Sequence, residues 1–270
     1  RLCAGELRDG AWHGRLRSGE VHSGGQDWHL QQPAGLLRRA DGRLELGAHC
    51  WRSGPASLCG EAQRLLPEPQ IRYRLADFPL DSLSPWLPKD FAWQGQLDAE
   101  IALDLPPSGP RGRVTVDAGR GSWRIRDQEQ WLTFGYDELR LDSQLRPAGI
   151  DTRLALRGPK LGELSLQATL DPRSVRKPLS GSFRLSGLDL ALARPFVPRV
   201  EQLAGRLEGS GSLGGELLAP RIDGRVHLRD GEIGGGELPS NFRDLQLQAN
   251  IAGERLQLDG GWRSGEQGRG

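Results

Sequence analysis

Methionine is absent from these 270 residues, and lysine nearly so, with Lys89, Lys160 and Lys177 the only three. Arginine in place of lysine, beside abundant Ala, Gly and Leu, reads as the mark of a GC-rich genome rather than as a function. No sign of charge prevails: 36 Lys and Arg stand against 35 Asp and Glu, so the basic stripe that a nucleic-acid partner needs is missing. No apolar run approaches the roughly 18 residues of a membrane-spanning helix. Large aromatics for a closed core are scarce apart from tryptophan, with Phe 6, Tyr 2 and Trp 8. The tryptophans suit either core packing or the rims and ends of an open structure. With no initiator Met, the chain reads as a piece of a longer polypeptide, any membrane anchor lying outside it.

Glycine is plentiful: 38 residues, about twice the usual ~7% share. There is no collagen-like period, and apolar residues are threaded between the glycines, which points to many short strands and tight turns. The hydrophobic period is two. In Gly95-Gln96-Leu97-Asp98-Ala99-Glu100-Ile101-Ala102-Leu103 every odd position is apolar or Gly, so one strand face is greasy and the other wet. The same phase selects Val114, Val116, Leu139, Leu141, Leu154, Leu156, Leu164, Leu166, Phe183, Leu185, Leu207, Val226, Leu228, Leu245, Leu247, Leu256 and Leu258. With Leu97, Ile101 and Leu103 these twenty form the candidate apolar face. Turns such as Ala40-Asp41-Gly42, Arg229-Asp230-Gly231 and Ala252-Gly253-Glu254 separate the strands. Short helical turns are expected only near 80–86 and 188–196, each stopped at a proline–aromatic cluster. Cys50 and Cys59 flank a Ser-Gly-Pro turn that suits a hairpin closed by a disulfide, which implies an oxidising compartment; two unpaired buried thiols are the alternative. Gly234-Gly235-Gly236 reads as a hairpin tip.

The chain repeats itself. Trp86-Leu87-Pro88 aligns with Phe196-Val197-Pro198 at an offset of 110, and Gly95-x-Leu97 then falls on Gly205-x-Leu207. Together with Phe78-Pro79-Leu80-x-x-Leu83 and Pro220-x-Ile222-x-Gly224-x-Val226-x-Leu228, these patterns resemble the TamB family of AsmA-like proteins; the Cys50–Cys59 hairpin resembles that family's middle region. The resemblance implies an all-β fold: a long, repetitive antiparallel sheet curled lengthwise into an open, taco-shaped trough. The expected divisions are 1–77, a preceding segment with the cysteine hairpin; 78–187, one repeat unit; and 188–270, a second, truncated unit. It also implies a periplasmic bridge belonging to an inner-membrane-anchored protein. Its groove would conduct phospholipid acyl chains and support assembly of outer-membrane proteins and autotransporters. A TamA-like outer-membrane barrel would be a partner through regions outside this chain. Nascent outer-membrane β-strands docking in the groove, chaperone-fashion, are the alternative cargo.

Enzymatic signatures are lacking. His13, His22, His29, His49 and His227 have no acid or nucleophile at motif spacing. No Gly-x-Ser-x-Gly elbow, phosphate loop or dinucleotide fingerprint occurs, and no Cys/His spacing suits zinc. The expectation is a protein without catalysis, metal or cofactor. A carbohydrate-binding or adhesin-like solenoid needs an aromatic-lined polar groove and a strict short repeat, and neither is visible. Period two alone does not separate an open trough from a closed sandwich.

Overall fold

The architecture comes from a computed structural model, which describes residues 3–127, 130–196, 200, 202–235, 241–264 and 268–269. The chain opens with β1 (Cys3–Arg8), β2 (Ala11–Leu16), β3 (Glu20–Ser23), β4 (Gln26–Leu30), β5 (Ala34–Arg38), β6 (Leu44–Leu46), β7 (His49–Ser53), β8 (Ala56–Gly60), β9 (Gln63–Leu66) and β10 (Gln70–Pro79). After a 3₁₀ helix at Leu80–Trp86 come β11 (Phe91–Asp104), β12 (Arg111–Asp117), β13 (Gly121–Asp127), β14 (Gln130–Tyr136), β15 (Glu138–Arg146), β16 (Gly149–Gly158), β17 (Gly162–Leu170) and β18 (Leu179–Asp189). A second 3₁₀ helix, Leu190–Phe196, leads to β19 (Gln202–Glu216), β20 (Ala219–Gly234), β21 (Phe242–Ala252), β22 (Arg255–Ser264) and β23 (Gly268–Arg269).

The first nine strands alternate in pairs between two sheets. One is the five-stranded sheet β1-β2-β5-β6-β9; the other begins β3-β4-β7-β8 and continues into β10. From there the main ladder runs β10-β11-β12-β15 and then strand by strand to β23. The hairpin β13–β14 branches from the first half of β11. Among the described residues no residue of β23 pairs with β3, so the ladder is open.

A crease explains the curl. The links from β2 to β3, β4 to β5, β6 to β7 and β8 to β9 are only two or three residues long, yet each crosses from one sheet to the other. Each pair is in effect one long strand folded at a corner. Further along, the ladder bends without breaking. Its register shifts fall beside Asp77, Gly187, Gly205, Asp230 and Asp244, whose φ values are +54°, +70°, +135°, +51° and +50°. Gly95, at φ +137°, sits where β11 changes partner from β12 to β13. Positive φ suits Gly, and Asp tolerates it better than most residues, so a bulge of this kind turns the strand at little cost. The conformational repeat obeys the sequence offset: Asp77 and Gly187, Gly95 and Gly205, and the two 3₁₀ helices are each 110 residues apart.

The second helical turn begins at Leu190 rather than 188, because Leu188 and Asp189 still pair with Leu207 and Arg206. The Asp189 carboxylate accepts the Ala191 N–H at 2.9 Å, capping that helix. Val197, Pro198 and Gly236 lie outside the described residues.

Burial is sparse for the chain's size. The accessible surface is 17411 Å², whereas a compact monomer of 29.6 kDa exposes about 11,600 Å². Leu80 is the one large side chain that is fully buried among the described residues. It forms a plug with Ala118, Tyr136 and Leu161, flanked by Leu83 and Leu192 of the two helices and by Trp93 and Trp123. Trp93 Nε1–H donates to Tyr136 Oη at 2.8 Å. Burial raises the pKa of that phenol, opposed by the Trp93 hydrogen bond.

Candidate functional site

The ladder registers decide which side chains share a face. Directly paired residues in antiparallel strands point the same way, and alternation carries the phase along each strand. Followed in this way, all twenty residues of the candidate apolar face lie on one side of the main sheet. The pairs are literal neighbours: Val116 with Leu141, Leu141 with Leu154, Leu154 with Leu166, Leu166 with Phe183, Leu139 with Leu156, Leu156 with Leu164, and Leu207 with Leu228. Cross-strand contacts among such side chains stabilise the sheet even where nothing covers it.

One row crosses the sheet without a break. It runs Leu30, Trp51, Leu58, Leu75, Ala99, Val116, Leu141, Leu154, Leu166, Phe183, Gly211, Gly224, Ile251, Leu256. Fourteen strands at ~4.8 Å spacing make a lane about 60 Å long with no polar side chain in it. Leu30, Trp51, Leu58 and Leu75 extend it beyond the twenty residues read from sequence. The strands β4, β7 and β8 that carry the first three are only five residues each, too short for alternation to stand out.

The lane is neither a closed core nor plain surface. Leu228 and Leu245 are buried, Leu256 and Leu258 are each 61% exposed, and the other sixteen of the twenty are half-buried. Leu97, Leu139 and Leu156 pack against the Leu80 plug, so part of this face is covered by the chain itself. Leu256 and Leu258 lie on β22, whose pairing with β23 among the described residues is confined to Arg263 and Ser264. Glycine lowers the floor toward the C-terminal end. A Cβ on Gly211 would approach Phe183 Cε1 to 2.7 Å, and one on Gly224 would approach Phe183 Cζ to 3.3 Å; the ring lies over that glycine pair. Beside the lane, the Ser143 and Thr152 hydroxyls share a 2.9 Å hydrogen bond, so this polar pair is satisfied within the sheet.

The opposite face is wet and charged. Arg113 and Arg140 converge on Asp142 at 2.6 and 2.8 Å, and Arg72 pairs with Asp104 at 2.6 Å. The Arg140 hydrogen bond, then that from Arg113, holds the Asp142 carboxyl below its ordinary value. Cys50 and Cys59 are direct partners across β7–β8 and form a disulfide, with Cα atoms 4.1 Å apart. Being next to Trp51 and Leu58, they point away from the lane, so the bond ties the hairpin without occupying the groove. The tryptophans divide between packing and exposure: Trp28 stacks on Phe78 with ring centroids 6.5 Å apart, while Trp86 is 60% exposed.

Among the described residues no group of three or more His, Cys, Asp or Glu is arranged to hold a metal ion, and no helix is long and apolar enough to cross a membrane. No solved structure matches this chain. A family model does match, that of the TamB N-terminal domain, over residues 3–228. That span includes the cysteine hairpin, which is therefore part of the N-terminal domain and not of the family's middle region. TamB proteins are envelope components of transport and assembly, not known as enzymes, and they work with TamA. With an all-β trough and a match over most of its length, the chain belongs to the TamB family, the translocation and assembly module subunit of outer-membrane biogenesis.

Proposed function

We propose that the inner lane conducts phospholipid acyl chains along the long axis of the trough, as a segment of a periplasmic bridge between the inner and outer membranes. The observation that supports this reading is the unbroken row from Leu30 to Leu256, apolar or Gly at every strand. An acyl chain gains about 0.8 kcal/mol for each methylene taken from water, and that gain has no preferred direction. A uniform row therefore holds a tail while letting it shift from strand to strand. Half-burial of the row leaves room for a guest that a close-packed core does not have. The headgroup stays in water at the open side of the trough. In this reading residues 78–187 and 188–270 are successive units of one conduit, and 1–77 lead into them. Outer-membrane protein and autotransporter assembly follows from the same lipid supply together with a TamA-like partner.

The test is photocrosslinking in the full-length protein, in cells. A photoreactive residue at position 141, 154 or 251 should capture phospholipid, and one at the neighbouring outer-face positions 140 or 153 should not. Capture of polypeptide alone at the lane positions favours a docking groove for nascent outer-membrane strands and overturns the lipid reading.

A further inference from the structure

On the five-stranded sheet, the face away from Trp12 carries a pocket of about 1020 Å³. Its place follows from the registers. Trp12 lies over Gly5 and Gly14 on one face; His13 and Arg15 alternate with it and point to the other. Glu45 and Arg64 join them there through the pairs His13–Leu37, Leu37–Glu45 and Glu45–Arg64. The floor is glycine: Gly35 lies opposite Arg15, and the Gly47 N–H donates to the Gly35 carbonyl at 2.7 Å. A Cβ built on Gly35 meets nothing within 4 Å.

The charge in this pocket is unbalanced. Along the main sheet some arginines, Arg72 and Arg113 among them, are matched with an aspartate across the strands, and others stand singly on an open strand; here several converge in one concavity. In the pocket, four guanidinium groups, from Arg15, Arg17, Arg43 and Arg64, meet two carboxylates, from Glu6 and Glu45; Arg64 is matched with Glu68 at 3.5 Å, which leaves Arg15, Arg17 and Arg43 to face a ligand. Arg15 and Arg17 have no acidic partner among the described residues, and Arg43 reaches Glu45 only at 3.9 Å. The Arg43 Nε–H is buried without an acceptor. A buried donor without a partner is costly, and surplus guanidinium donors in a concave site match an acceptor-rich anion. Arginine's planar fork fits tetrahedral oxyanions in particular.

We propose that this pocket binds a phosphate-bearing anion, seated over Gly35 and held by Arg15, Arg17 and Arg43. The site is on the five-stranded sheet, none of whose strands carries a lane residue, and does not depend on what occupies the lane.

The test titrates inorganic phosphate into the full 270-residue chain at constant ionic strength, with chloride as the control. Saturable phosphate binding is expected, weakened tenfold or more by Gly35→Leu, which fills the floor without changing charge. The Arg15→Gln/Arg17→Gln double variant should weaken it similarly. Circular dichroism and the Cys50–Cys59 bond should remain as in wild type in both. Absence of saturable binding above the chloride control, or wild-type affinity in both folded variants, overturns the proposal. A competition arm identifies the source of the phosphate. Displacement of bound phosphate by phosphatidylglycerol vesicles supports the proposal with a lipid headgroup as ligand; failure to displace supports it with a soluble phosphate.

Discussion

Leu166 sits mid-lane, half-buried between Leu154 and Phe183, which makes Leu166→Asp a strict test of the conduit. Desolvating an unpaired carboxylate costs several kcal/mol in a buried site. Half-burial discounts that figure, and about 3 kcal/mol is a fair value for the encounter between an acyl chain and this charge. At about 1.4 kcal/mol per factor of ten, occupancy of the lane at this strand should fall by about 100-fold. The fold should survive, because the same partial exposure leaves the carboxylate some water when no guest is present. Gln167→Asp is the matched control: the same charge, one residue along, on the exposed face. Both variants belong in the full-length protein with a photoreactive residue at position 154. Folding is read by circular dichroism and protease resistance, lipid by crosslink yield. The expected result is loss of the crosslink in Leu166→Asp alone. If folded Leu166→Asp crosslinks as wild type does, or if Gln167→Asp loses the crosslink equally, the lane does not carry lipid past this strand.

Other outcomes follow from single sites. Leu80→Ala empties the one fully buried large side chain and should cost about 3 kcal/mol, read as a lowered denaturant midpoint. Reducing the Cys50–Cys59 bond opens a loop with a sequence separation of 9, worth about 2.5 kcal/mol on the chain-entropy account; hydrogen exchange should quicken first in β7 and β8, and uniform exchange with and without the bond contradicts this. Gly211→Val should drive the Phe183 ring up into the lane and lower lipid crosslinking at position 251 while leaving that at position 141 unchanged. The His22 pKa is raised above 6.5 by its hydrogen bond to Asp27 and then by that carboxylate's charge, so the pairing is fully present below about 6.5 and is lost as pH rises through the raised value. Asp27→Asn should return His22 toward its ordinary titration in an NMR pH series, with no change in global stability, since the pair is fully exposed.

Much of this was legible in the residues. The long strands β11, β16 and β17 each alternate over nine or more residues, and a one-residue slip turns every apolar side chain outward, so face and phase follow from sequence. The crease was harder to see. Gly187 and Gly205 advertise positive φ, and Arg229-Asp230-Gly231, expected as a turn between strands, is instead a bulge inside β20, where the chain bends without ending the strand; Asp77 and Asp244 take up the same conformation with no glycine beside them to mark it. The hairpin β13–β14 was also hidden: Trp123, Trp131 and Phe134 look like any strand, and only the partner switch at Gly95 reveals that they leave the main ladder. Which half-buried positions the Leu80 plug covers depends on helices whose packing has no periodic signature. The pocket on the five-stranded sheet is invisible to pattern, because Arg15, Gly35 and Arg64 meet only through pairings among four separate strands.

The crease also sets how such a molecule grows. Each bent strand supplies one corner residue and one lane residue, and neither depends on how many strands precede or follow. Adding a hairpin therefore lengthens the trough by two strand spacings, about 10 Å, without altering its cross-section. The length of the trough is set by the number of strands, as on a ruler whose graduations are the corners themselves.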